Sequence, residues 1–282
     1  MFNWSQLEMV ESLGVHSREL SGQYVLKIRS AKQDWVMKAV TADADSTTVQ
    51  ELQHEIACYQ CFRQQEFCHE FYIYQVDDHI VGNFNGSALS KLNLSGQFLL
   101  LPYQSTLKTL TLNDWSLGKK IKNFMIICQT VQQLHDLGYV HADLKLSHFC
   151  LQQDQIKLLD FAQTQKIQEQ NIKIQPLGTP AYMAPELFLG RCCSIQSDIY
   201  ALGICFYEIL NGKKPYQGKT YRHWAQLHCQ QDIPLCVEPK QYLQSVLDRM
   251  LAKQLQHRFS TLNEVINALS ELKPRKSQEI DD

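Results

Sequence analysis

The chain has 282 residues, 44% hydrophobic and 20% charged, enough for about two structural units with buried cores and too apolar for global disorder. Lys and Arg total 27 against 29 Asp and Glu, a net charge of −2, which removes the broad electrostatic footprint of a nucleic-acid binder. No apolar run approaches the roughly 18–20 residues that cross a bilayer, and residues 1–14 have no basic stretch leading into an apolar one, so neither a membrane span nor a secretory signal is expected and the location expected is the cytoplasm.

Ten scattered cysteines, several within apolar segments, are expected to stay reduced. Cys58, Cys61, Cys68 and His69 have a spacing that can suit zinc, against the simpler reading of a helical i,i+3 pair with one thiol buried.

In chain order, short apolar alternations predict strands over 23–28, 35–40, 71–76, 79–81 and 97–102. One helix interrupts them over 47–62, where Val49, Leu52, Ile56, Tyr59 and Phe62 recur at three-to-four-residue spacing and Asp45 or Ser46 can cap the start. Beyond Tyr103 the helical period takes over. Ile121, Phe124, Ile127, Val131 and Leu134 form one stripe, 199–210 is apolar nearly all round, and 243–251 and 262–269 predict two more helices. The expected architecture is α+β: a small antiparallel-sheet lobe with one main helix over 1–103, a larger and mostly helical lobe over 104–275, and a frayed tail over 276–282.

Residues 139–150, YVHADLKLSHFC, and the following 155–162, QIKLLDFA, place His141, Asp143, Lys145, His148 and Asp160 on or beside two short strands. A carboxylate base, a cation and potential metal ligands are what phosphoryl transfer asks of a protein, whose work there is to position the nucleophile and neutralise phosphate charge. HADLKLSH resembles the H-R-D-L-K-x-x-N catalytic loop of protein kinases, and DFA resembles their D-F-G metal-binding turn. GTPAYMAPE at 178–186 is similar to the end of a serine/threonine kinase activation segment, and SDIYALG at 197–203 to the buried helix that follows it. WVMKAV at 35–40 resembles the V-A-I-K strand. The similarity runs from about residue 10 to about 270, and the chain is identified as a member of the protein kinase superfamily, resembling the bacterial eukaryotic-like serine/threonine kinases.

The resemblance implies a bilobal kinase fold with ATP and Mg²⁺, or Mn²⁺, bound between the lobes, and a protein Ser or Thr hydroxyl as acceptor. It assigns Asp143 to the substrate hydroxyl, Lys38 and Lys145 to phosphate charge, and Thr179 to a bond near the base. Glu55 becomes the partner of Lys38, with Glu51 a solvated helix charge. Leu101 stands at the back of the adenine pocket, with the main chain after it, at Tyr103, bonding the base. Asp160 and His148 hold the metal. Asp198 is expected to hold the catalytic-loop backbone and Arg258 to pair with Glu186.

Several positions depart from the family pattern. Of the phosphate-covering glycines only Gly22 survives in 17–22, beside Arg18, Glu19 and Ser21. Histidine stands where the family has Asn, at His148; His-Phe also occurs in the heptose kinases of the lipopolysaccharide core. Ala162 replaces the glycine of the metal turn, which predicts a stiffer turn. Ala142 replaces the arginine that receives an activation-loop phosphate, and between Asp160 and Gly178 only Thr164 carries a hydroxyl, so activity without loop phosphorylation is expected. A pseudokinase scaffold and a kinase of sugars or other small molecules stay open as alternatives.

Overall fold

A computed structural model describes residues 7–14, 19–30, 32–77, 88–152, 154–169, 178–236 and 240–272. The strand expected over 79–81, Arg18 and the acidic tail lie outside them. The chain divides into two compact units: Met1–Gln104 with Leu159–Ala162, and Ser105–Leu158 with Gln163–Asp282.

The first unit is an antiparallel sheet in the order β1-β2-β3-β5-β4, formed by β1 (Leu7–Ser12), β2 (Gln23–Ser30), β3 (Gln33–Thr41), β4 (Tyr72–Gln75) and β5 (Leu94–Pro102). The period-two pattern sorts the side chains. Leu26 and Ile28, Trp35, Met37 and Ala39, and Phe98 and Leu100 gather in one apolar cluster with Leu89. Their sequence neighbours point to the opposite face, where Lys38 pairs in register with Leu99 and Val36 with Leu101. α1 (Ser46–Phe62) packs on β3 and β5, burying Leu52, Ile56, Tyr59 and Phe62. It starts where the Asp45 carboxylate accepts the Thr48 backbone N–H at 2.8 Å, which satisfies an otherwise orphan donor. β1 carried no clear alternation and was not expected.

The second unit is built on α2 (Leu117–Asp136) and α4 (Ile195–Asn211). Phe124 of α2 and Phe206 of α4 stack at 4.0 Å and 10°, and burial of each ring contributes about 1.5–3 kcal/mol. α4 is buried from Ser197 to Leu210, as a helix that is apolar all round must be. A Ser194/Ser197 capping box fixes its start. Two short antiparallel pairs, the hairpin β7 (Phe149–Gln152) with β8 (Gln155–Leu158) and the pairing of β6 (Tyr139–Val140) with β9 (Gln165–Lys166), frame the segment 141–148. α3 (Pro185–Phe188), α5 (Tyr221–Gln230), α6 (Gln244–Met250) and α7 (Leu262–Glu271) complete the unit. No helix among the described residues is long and apolar enough to cross a membrane.

All ten cysteines are free thiols. Cys58 is buried and Cys61 exposed on α1, the arrangement of a plain i,i+3 pair. No group of three or more potential metal ligands stands together among the described residues.

Candidate active site

The residues singled out by the sequence fall in two sets, one in each unit. In the first, Lys38 of β3 extends its ammonium to Glu55 Oε1 at 2.6 Å and Asp160 Oδ2 at 3.3 Å. Burial pushes the Lys38 pKa down, but the charges of Asp160 and Glu55 outweigh it and hold the ammonium above its ordinary value. Glu51, one helical turn before Glu55, stays partly exposed.

Asp160 is fixed by its neighbours in the same unit. Its backbone N–H donates to Tyr59 Oη at 3.2 Å. Its φ is 64°, a left-handed conformation uncommon outside glycine. Phe161 next to it is fully buried, with its ring 4.8 Å from Tyr59 and 5.1 Å from Phe62 in edge contacts. The Asp160 carboxylate, 33% exposed, remains in reach of solvent.

Gly22, Leu101 and Tyr103 stand apart from this cluster of charges. Gly22 is buried at the start of β2 with φ 86°, and a Cβ there would lie 2.6 Å from Thr41 Oγ1 and 2.8 Å from Ala44 Cα, so only glycine fits. Its N–H donates to Glu19 O at 3.0 Å and its carbonyl accepts from Thr41 N at 3.0 Å, so its donor serves the chain's own turn. Glu19 accepts a short hydrogen bond from Ser12 Oγ, which turns its charge onto β1. Leu101 is buried in β5. Pro102 has no N–H, and that of Tyr103 donates to Asp34 O at 2.9 Å, so neither residue has a main-chain donor left for a base. The Tyr103 ring instead carries Lys27 Nζ at 4.1 Å from its centroid.

In the second unit Asp143, Lys145, Thr179 and His148 come together. Asp143 Oδ1 accepts the Thr179 backbone N–H at 2.7 Å, and Oδ2 accepts Lys145 Nζ at 3.0 Å. Lys145 Nζ also reaches Thr179 Oγ1 at 2.9 Å. Gly178 lets the segment approach this closely: φ is 100° and a Cβ would stand 2.9 Å from Ala142 O. His148 Nδ1 bonds the Asp143 carbonyl at 2.8 Å. A carbonyl only accepts, so Nδ1 carries the proton and, in the neutral ring, Nε2 carries the lone pair.

Beneath that loop, Asp198 Oδ2 accepts His141 N at 2.8 Å and Oδ1 accepts Ala142 N at 3.0 Å. These bonds hold Ala142 at φ 66°, an unfavourable value for a residue with a Cβ. Asp198 Oδ2 also accepts His135 Nε2 at 2.9 Å inside the unit. Sequence reasoning missed His135 as a positioning residue; the available signal was a polar side chain directly after Leu134 on the buried stripe of α2. Arg258 and Glu186 form a buried two-pronged pair at 2.8 and 3.1 Å, and Arg258 also donates to the carbonyls of Gln196 and Ala252.

Each unit taken by itself offers one donor of a kind that a cofactor metal takes. Mg²⁺ is usually held by one or two carboxylates and completes its shell with water and substrate phosphates. Asp160 is such a carboxylate. The Asp143 carbonyl fixes His148 in the tautomer that a ligating imidazole uses, and imidazole suits Mn²⁺ better than Mg²⁺.

The protein kinase domain family model matches residues 20–269. Serine/threonine-protein kinase PknD of Chlamydia pneumoniae is 28% identical over 206 residues, covering 60% of this chain and 22% of that protein. Probable serine/threonine-protein kinase PknB of Lactococcus lactis subsp. lactis (strain IL1403) is 29% identical over 147 residues, 50% of this chain and 23% of that protein. This chain thus spans less than a quarter of the length of these curated relatives. Among solved structures, the Cydia pomonella granulovirus kinase PK-1 matches with a TM-score of 0.67 at 18% identity over 94% of each chain, a likeness of fold. With a family match over nearly its whole length, and a sheet unit and a helical unit that carry the family's motifs in order, the chain belongs to the protein kinase domain family.

Proposed function

We propose that the chain is an ATP-dependent serine/threonine protein kinase of the cytoplasm. The observation that carries this reading is the Asp143–Lys145–Thr179 arrangement. A carboxylate held by a backbone N–H and an ammonium keeps a fixed orientation toward a substrate hydroxyl, whose proton it orients or accepts, while Lys145 offsets charge on the transferred phosphoryl group. Lys38, positioned by Glu55, binds the α- and β-phosphates, and Leu101 lines the adenine pocket. Asp160 of the first unit and His148 of the second would each offer a ligand to Mg²⁺ or Mn²⁺, which when bound would neutralise phosphate charge.

The activation segment supports activity without phosphorylation. Thr164 is 1% exposed, out of reach of a modifying enzyme, and the Thr179 hydroxyl is already bonded to Lys145. Ala142 offers no cation to an incoming phosphate. A pseudokinase reading draws on one specific observation, the engagement of the Gly22 and Tyr103 donors within the chain.

Incubation with γ-labelled ATP and a cell lysate separates the readings. Label entering Ser or Thr of protein, and lost in Asp143→Ala, supports the kinase; label entering a small metabolite points to the sugar-kinase class. No transfer in either metal, with ATP binding retained, supports the scaffold.

A further inference from the structure

Helix α1 meets the charged cluster of the first unit at two points, and sequence reasoning assigned only one of them. Glu55 pairs with Lys38. Tyr59, four residues on, lies on the same helical face and takes the Asp160 backbone N–H on its hydroxyl oxygen at 3.2 Å. It is fully buried, with its ring 4.8 Å from that of Phe161 and 5.1 Å from that of Phe71.

The ring and the hydroxyl have different roles. Phe62, Phe67, Phe71 and Phe161 fill the rest of this aromatic cluster without a polar atom, so a phenylalanine at 59 would serve the packing equally. A buried phenol oxygen carries a desolvation cost that packing does not require, and the Asp160 N–H offsets it. That N–H belongs to a residue at φ 64°, a conformation that is costly to a residue with a Cβ and persists where neighbouring bonds fix it. The carboxylate of the same residue lies 3.3 Å from Lys38 Nζ, whose other acidic partner is Glu55. One face of α1 therefore touches both partners of Lys38: it supplies Glu55 itself, and it holds Asp160 by the main chain.

We propose that Tyr59 is a positioning residue for the metal-binding carboxylate: its hydroxyl oxygen holds the Asp160 backbone in the left-handed conformation that presents the side chain to Lys38 and to a cation. The metal role rests on the kinase reading, whereas the bond itself rests on the geometry of the first unit alone. Removing a group that orients a metal ligand from behind typically weakens metal binding by about 10- to 100-fold. Tyr59 bonds the main chain of the ligand rather than its carboxylate, which puts the expected effect at the lower end of that range.

Tyr59→Phe deletes one oxygen and keeps the ring. Three quantities are measured on the intact chain: hydrogen exchange of the Asp160 amide by NMR, affinity for Mn²⁺ in the presence of ATP by electron paramagnetic resonance, and melting temperature. In wild type the Asp160 amide should be protected. In Tyr59→Phe its exchange should quicken by about tenfold and Mn²⁺ should bind about tenfold more weakly, while metal-free ATP affinity and melting temperature stay close to wild type. A tyrosine that only packs would lower the melting temperature and leave Mn²⁺ affinity as it was, which overturns the proposal. An Asp160 amide that exchanges freely in wild type overturns it as well, and that observation needs no variant to fold. If wild type binds no Mn²⁺ with ATP while its Asp160 amide is protected and is released in Tyr59→Phe, the kinase reading fails and the metal role of Tyr59 falls with it. Equal Mn²⁺ affinity in wild type and Tyr59→Phe overturns the proposal alone.

Discussion

Lys38 Nζ and Glu55 Oε1 are 2.6 Å apart, on a β-strand and a helix of one unit, with the Glu55 side chain 1% exposed. A carboxylate this buried is stable only while its partner is present. Lys38→Met should destabilise the first unit by about 3–5 kcal/mol in denaturant unfolding, and adding Glu55→Leu should recover a large part of that loss. The sign with pH follows from the raised Lys38 pKa. The pair's contribution is complete below the ordinary lysine value of 10.5 and is lost as pH rises through the higher folded value. An alkaline loss of stability equal in wild type and in the double variant would contradict this.

Arg258 grips Glu186 with two nitrogens and two backbone carbonyls with the same guanidinium. A lysine cannot reproduce that fork. Arg258→Lys should therefore lose much of the stability that Arg258→Met loses, about 3–5 kcal/mol for the latter, as read from chemical denaturation. Full rescue by lysine would show that charge alone matters at this position.

His228 is fully buried, its Nδ1 2.9 Å from Tyr200 Oη and its ring in contact with Phe188, Tyr216 and Trp224. Burial, and then Lys253, push its pKa from 6.5 down to about 3. Between those values the unfolded chain binds a proton that the folded chain refuses, so stability falls as pH drops through that window, with a slope approaching about one proton. In His228→Phe that proton's share of the slope should disappear, measured as unfolding free energy against pH. An unchanged slope would show that other groups set the acid limit.

Thr164 is nearly inaccessible, and Thr179 is bonded to Lys145. Thr164→Ala should leave the phosphotransfer rate unchanged, and phosphatase treatment of the purified protein should do the same. Thr179→Ala should lower the rate, since it removes the hydroxyl that Lys145 contacts. A large drop on phosphatase treatment would contradict the proposed independence from loop phosphorylation.

Much of this was legible because it is periodic or local. The α2 stripe buries Phe124, Ile127, Val131 and Leu134 as its spacing required, while Ile121 stays half-exposed. The Asp45 cap was one of two readable starts for α1. The choice of Glu55 over Glu51 came from family resemblance, since both lie on the same helical face. What was not legible depends on distant backbone. Nothing in the local sequence says that the Tyr103 N–H meets Asp34 O, or that Gly22 is demanded by Thr41 and Ala44 rather than by a ligand. β1 escaped because Leu7, Met9 and Val10 do not alternate cleanly, and α5 because it buries only His228 fully, and a buried histidine reads as polar in any pattern.

The central claim is that Asp143, held by Thr179 N and Lys145 Nζ, acts on the acceptor hydroxyl. Asp143→Asn keeps the shape and an oxygen acceptor while removing the charge. The measurement is steady-state transfer from labelled ATP to a protein substrate in Mg²⁺ and in Mn²⁺, with ATP affinity and melting temperature recorded alongside. The account predicts a fall in kcat of about 100- to 10,000-fold with ATP affinity nearly unchanged. Transfer at the wild-type rate by a correctly folded Asp143→Asn protein would contradict it.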